Sequence, residues 1–169
     1  MTRKIIFSLF ILITGYFFYK PMVISLSTIK NPEAINFKFA QTFKLKDIPG
    51  LESSQNMVVY IVLDHEDRKN TSATISKWKV LKSSNLSLVN DLINCEFKYT
   101  GSDVSTVQSM IYVYSNNSLV FESEISLDTN NLGLQNRATG WATPVDQKQF
   151  LHIINRFDRY NLPVLIINN

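Results

Sequence analysis

One cysteine, two histidines and five glycines in 169 residues leave little material for most kinds of chemistry. With Cys95 alone, no disulfide can form within the chain, and no paired-cysteine zinc site can be built. Five glycines supply neither a phosphate-cradling loop nor a dinucleotide fingerprint, and no serine sits in a nucleophile elbow. No second histidine stands at a metal-ligand spacing from the first, and no glycine shapes a calcium loop. Neither cofactor nor metal is therefore expected. An excess of one charge is missing too. The 17 basic and 14 acidic residues give a net +3. Arg3, Lys4 and Lys20 account for all of that excess, so residues 28–169 are neutral. A neutral domain has no electrostatic footprint for DNA or RNA, and nucleic acid is excluded as a partner on that ground. Internal repeats and low-complexity tracts are absent.

What is present starts at the N-terminus, with MTRKIIFSLFILITGYFFYKPMVISLS. A short cationic start is followed by an apolar run from Ile5 to Tyr19. Residues 1–27 read as a signal-anchor or transmembrane segment, and residues 28–169 as one extracytoplasmic domain. The run is shorter than the roughly 20 residues a span needs. Met22 to Leu26 are expected to lengthen it, with Lys20 snorkelling. Tyr16, Phe17, Phe18 and Tyr19 suit the outer interface, and Arg3 and Lys4 stay inside. The competing reading is a cleaved signal peptide, with Ser25-Leu26-Ser27 as a weak site. Residues 5–27 thus make the membrane a partner. The Lys-, Asn- and Ile-rich usage without disulfides points to a bacterial inner-membrane protein with its domain in the periplasm. In a eukaryotic secreted protein, Asn70, Asn85 and Asn116 would instead be glycosylation acceptors.

Beyond residue 35 the period is mostly two. INFKFAQTFKL places Ile35, Phe37 and Phe39 on one face of a strand, with a bulge near Gln41. MVVYIVL at 57–63 is apolar throughout, as in a strand covered on both faces. TISKWKVLK alternates Trp78 and Val80 with Lys77 and Lys79. INCEFKYT sets Ile93, Cys95, Phe97 and Tyr99 on one face, which predicts a buried, inert Cys95. SMIYVYSNNSLVFESEISL predicts a hairpin turning at Asn116-Asn117. Its simple register opposes Tyr114 to Leu119 and Tyr112 to Phe121. Thr143 as cap, Pro144 at the first position and Asp146 closing a capping box predict a helix from 143 to 160. Its apolar face carries Phe150, Ile153, Ile154 and Phe157. LPVLII makes a last strand. The expected fold is α+β: a largely antiparallel sheet of six or seven strands with one C-terminal amphipathic helix packed on it.

Candidate working residues are few. Asp64, His65 and Glu66, at the end of the 57–63 strand, could serve an envelope hydrolase, though neighbours on an extended chain point apart. Lys148, His152, Arg156 and Arg159 recur at helical spacing as a cationic stripe, suited to anionic headgroups or an acidic partner. Arg137 and Trp141 lie in a 15-residue stretch, 128–142, with no clear period. Either that stretch hides a strand with Trp141 anchored in the core, or both residues are exposed as a binding face. The reading these features favour is a non-enzymatic, membrane-anchored periplasmic interaction module that binds a protein, of inhibitor or immunity type. The alternatives are the hydrolase, or a small domain holding a ligand or lipid in an apolar pocket.

Overall fold

The computed structural model describes residues 2–27, 38–52, 56–101, 107–136 and 140–169. An N-terminal helix, α1 (Thr2–Tyr19), leads into β1 (Met22–Ser25). Then come β2 (Thr42–Lys44), a 3-10 turn (Leu45–Asp47), β3 (Met57–Val62), the one-turn α2 (Asp67–Asn70), β4 (Val80–Ser83) and α3 (Leu86–Ile93). The chain continues through β5 (Glu96–Tyr99), β6 (Met110–Ser115), β7 (Ser118–Ser126), β8 (Gly133–Asn136) and β9 (Gly140–Pro144). It closes with α4 (Gln147–Asn155), β10 (Asp158–Arg159) and β11 (Val164–Ile167). The fold is α+β, as expected. Nine strands form one antiparallel sheet in the order β10-β4-β3-β6-β7-β8-β9-β5-β2. β1 and β11 form a separate two-stranded parallel ribbon.

The inner face of the sheet holds the main core. α3 touches both β3, near one end of the sheet, and the 3-10 turn after β2, at the other end. The sheet therefore curls around α3 and α4. Phe97 sits at the centre, edge-on to Phe150 at 5.6 Å and stacked on Phe43 at 6.1 Å. α3 was not expected. The Asn85 side chain caps it, accepting from the Leu88 N–H at 3.1 Å, and Leu88, Val89, Leu92 and Ile93 fill the inner face. Ile93 ends the helix while Cys95 and Phe97 follow it inward, so a period of two survives across the junction and conceals it.

The hairpin turns where the sequence places it, with Asn116 and Asn117 at φ 51° and 65°. Tyr114 faces Leu119 as expected, but the expected pairing of Tyr112 with Phe121 is wrong. Val120 is an extra residue on β7; beyond it Val113 opposes Phe121 and Tyr112 opposes Glu122. Such a bulge reverses the facing of the strand. It sends Phe121 and Ile125 into the main core while Leu119 stays with Tyr112 and Tyr114 on the outer face. Both faces of this region are covered, so each needs its own apolar row.

The outer face is covered by the β1–β11 ribbon. Leu165 and Ile167 with Val23 pack over Val80, Tyr112, Tyr114, Leu119 and Tyr160. Tyr60 meets Tyr114 and Tyr160 edge-on at 5.9 and 5.8 Å. Burial raises the pKa of Tyr60, Tyr112, Tyr114 and Tyr160.

Three further expectations change. Among the described residues, no helix is long and apolar enough to cross a membrane. α1 stops at Tyr19 and Met22–Ser25 is a strand, so it adds nothing to the apolar run. Ile5 to Tyr19 then reaches about 22 Å at 1.5 Å per residue, against a hydrocarbon core of about 30 Å. Cleavage at Ser25–Ser27 would also take β1, and Val23 with it, out of the outer core. The late helix is shorter than expected at both ends. Thr143 and Pro144 belong to β9, and Asp146 is the cap itself, its Oδ1 accepting from Gln149 N–H at 2.8 Å. Pro144 lies beyond the last rung to β8, where its missing N–H costs little. α4 ends at Asn155, leaving Phe157 to enter the core from the following turn. In the first expected strand, Ile35 and Phe37 lie outside the described residues. Phe39 is exposed beside Ala40 at φ 66°, and pairing is confined to Thr42–Lys44.

Candidate interaction surface

α1 is apolar on all sides between Ile5 and Ile13, Ser8 apart, and none of these side chains is covered. Exposure there runs from 48% at Ile13 to 69% at Leu12. Among the described residues, the last turn makes the contacts with the domain, and it is clamped. The Arg159 guanidinium lies over the Trp78 ring at 3.8 Å and within 5.7 Å of the Tyr19 ring centre, while the two rings meet edge-on at 5.4 Å. Arg159 also donates to the Phe18 carbonyl, one of the acceptors that a helix end leaves open. Lys79 Nζ donates to the Pro21 carbonyl at 2.8 Å. Among the described residues Arg159 Nε is buried without a partner, and the ring stack and the Nη2 bond hold this cation.

Around this exit gather cations. The Lys79 ammonium has a lowered pKa, first because it is partly buried, then because Arg68 and Lys20 repel it; Asp64 offsets part of this. Arg68 Nε donates to the Asp64 carbonyl at 3.2 Å. Next to them is the ribbon. The Met22 N–H donates to the Pro163 carbonyl at 2.9 Å, which brings Leu162 beside the exit. Met22 pairs with Val164 and Ile24 with Ile166, and all four side chains face outward and exposed. The result is an uninterrupted aliphatic row beside a cationic cluster.

The residues proposed from sequence separate. Trp141 is 3% exposed, in β9 opposite Gln135 of β8. The stretch 128–142 contains two strands, and Trp141 is a core anchor. Its indole lies against Gly133, where an added Cβ would meet Cζ2 at 2.8 Å. Arg137 lies outside the described residues. Lys148, His152 and Arg156 are exposed on or just after α4, but Arg159 is in β10 and turned into the clamp, so the cationic stripe stops at Arg156.

His65 and Glu66 form an exposed turn, with Nδ1 to Oε1 at 2.9 Å. Glu66 also meets Lys69 at 2.6 Å, and its carboxyl titrates low because of Lys69 first and His65 second. Their neighbour Asp67 turns inward: its Oδ2 accepts from the N–H of Gln108, the N–H of Ser109 and the Ser109 hydroxyl at 3.1, 2.7 and 2.7 Å. A polar cavity of about 220 Å³ opens between Asp67, Asn70, Asp128 and Asn131. Among the described residues, no group of three histidine, cysteine or acidic side chains stands close enough to hold a metal. An open hollow of about 540 Å³ lies at the β4–β10 edge beside Lys82, Asp158 and Tyr160. Cys95 is buried, and its thiol is pushed up to about 11, by burial first and then by Asp91 and Asp146.

Trp78, Lys79 and Arg68, which stand at the helix exit, are not among the candidates drawn from the sequence. In the sequence Lys77-Trp78-Lys79 shows strand alternation; an aromatic residue flanked by cations is the signal that marks it. Comparison with family models, curated proteins and solved structures finds no match to this chain.

Proposed function

We propose that this chain is a non-enzymatic interaction module of the bacterial envelope, attached to a membrane by α1 and offering its α+β domain to a protein partner there. The observation that carries the reading is the bare apolar surface of α1. Eleven large apolar side chains from Ile5 to Tyr19 are exposed. Together they present about 1,000 Å², worth on the order of 20 kcal/mol once removed from water. A patch larger than a few hundred Å² on a soluble monomer marks an interaction site. A helix apolar all round belongs in an apolar phase. The clamp at its last turn supports a fixed orientation of the domain rather than a loose tether.

On the solvent side, the exposed Lys148 and Arg156 of the α4 region, with His152 between them, suit an acidic protein surface, with inhibition or immunity as the finer reading. The test is carbonate extraction of membranes containing the full chain, followed by cross-linking from position 152. Retention in the membrane pellet and one stoichiometric envelope protein are expected, with the cross-link lost in Lys148→Glu/Arg156→Glu. Release of the chain into the aqueous fraction overturns the attachment. An empty cross-link overturns the partner.

A further inference from the structure

Resting on the membrane attachment read from α1, we infer that the helix exit is a second lipid-contact site that takes anionic phospholipid headgroups. Lys20, Arg68 and Lys79 meet the phosphates, and Met22, Ile24, Val164 and Ile166 rest at the boundary between headgroups and acyl chains.

Three observations carry this. First, the domain is neutral overall, yet three cations gather where α1 leaves it, and mutual repulsion is part of what depresses Lys79. Asp64 is the carboxylate that acts on Lys79, and it leaves the cluster net positive. Arg68 and Lys79 each spend one donor on a backbone carbonyl, which leaves further N–H groups for phosphate oxygens. Second, the outward row of the ribbon is aliphatic and exposed, without a charge among Met22, Ile24, Val164 and Ile166. Third, the two surfaces are continuous with α1. Only Lys20 and Pro21 separate the helix from β1, and the Lys79–Pro21 and Met22–Pro163 hydrogen bonds tie helix exit, cations and ribbon together. Because the last turn of α1 is clamped, a bilayer that receives the helix meets the same neighbouring surface each time. Aliphatic side chains beside Lys and Arg are the composition that binds an anionic interface.

The test uses the full chain with an environment-sensitive fluorophore on Ile166→Cys, Cys95 being buried and unreactive. The chain is mixed with phosphatidylcholine vesicles and with vesicles also containing phosphatidylglycerol, and flotation is measured alongside. A label at Lys148→Cys, on exposed α4, is the control. In anionic vesicles the label at 166 shifts to the blue and the label at 148 does not. The shift is lost in high salt and in the triple variant Lys20→Gln/Arg68→Gln/Lys79→Gln, at roughly fivefold in partitioning per cation removed. Inorganic phosphate alone leaves the label unchanged. A chain that floats while the label at 166 stays aqueous overturns this inference and leaves the attachment standing. An equal shift in both vesicle types overturns the anionic headgroup. A chain that floats with neither overturns the attachment itself.

Discussion

Adding one methyl group at Gly133 tests whether Trp141 is core or surface. The Cβ of Gly133→Ala meets the Ala142 carbonyl oxygen at 2.5 Å, Cζ2 of Trp141 at 2.8 Å and Cε2 at 3.0 Å. None of these can simply swing away. Ala142 is paired with both Leu134 and Tyr99, and the Trp141 side chain is 3% exposed. Overpacking of this kind costs about 1–3 kcal/mol, and a fixed backbone atom at 2.5 Å puts it at the upper end. For a chain of this size, about 3 kcal/mol lowers Tm by roughly 6–12 °C. Trp141→Ala alone should cost about 3–5 kcal/mol by leaving a cavity. In the double variant the indole contact disappears while the Ala142 contact remains. The two changes should therefore couple by on the order of 1 kcal/mol, with part of the Gly133→Ala cost persisting. Urea unfolding of the detergent-solubilised full chain, followed by circular dichroism, measures all four corners of the cycle. If Gly133→Ala lies within about 0.5 kcal/mol of wild type, the close packing is wrong and the stretch from 132 to 141 returns to being a surface loop.

Arg159→Ala should speed hydrogen exchange at the Lys20 amide, which is bonded to the Tyr16 carbonyl, by roughly tenfold or more as the clamp opens. Arg159→Lys should not restore protection, since an ammonium cannot stack flat on Trp78; unchanged exchange in the alanine variant would refute the clamp. Asp67→Ala should cost about 2–3 kcal/mol in urea unfolding because three donors around Ser109 lose their shared acceptor. His65→Ala, in the neighbouring exposed turn, should change stability by less than about 0.5 kcal/mol; equal effects from the two would refute the division between them. Stability should fall at alkaline pH. Cys95, Tyr60, Tyr112, Tyr114 and Tyr160 have raised folded values, so the unfolded chain releases those protons first and stability is lost as pH climbs past about 8.5 for the thiol and about 10 for the phenols. Lys79, with a lowered value, works in the opposite direction just below its ordinary range. Cys95→Ser should flatten the first part of the decline in Tm between about pH 8 and 10; an identical profile would place that thiol in contact with solvent.

How much was legible depended on how local each signal was. Asn116-Asn117 is readable because two left-handed residues are a local requirement of the turn. The buried face of β5 is readable because alternation is local too, and β3 is readable as a strand because its apolar run is. The Val120 bulge is not readable, since it answers to two cores on opposite sides of one strand pair. Thr143-Pro144-Asp146 satisfies the local grammar of a helix start, but pairing with β5 claims the first two residues for a strand. Met22–Leu26 continued the apolar run in one dimension, yet Val164–Ile167, some 140 residues away, claims Met22–Ser25 for the ribbon. Arg159 falls in helical register with Lys148, His152 and Arg156 yet forms the clamp, because α4 ends sooner than the pattern does.

The sequence by itself determined the class of fold, the neutral domain, the apolar N-terminal helix and the burial of Cys95. Each follows from composition or from a period shorter than one element. Only the tertiary structure decided where α1 stops, which face each half of the hairpin presents, that Trp141 is core, and that Lys20, Arg68 and Lys79 stand together. Those outcomes depend on contacts between segments far apart in the chain. Nothing in the order of neighbouring residues records which distant strand will arrive to bury them.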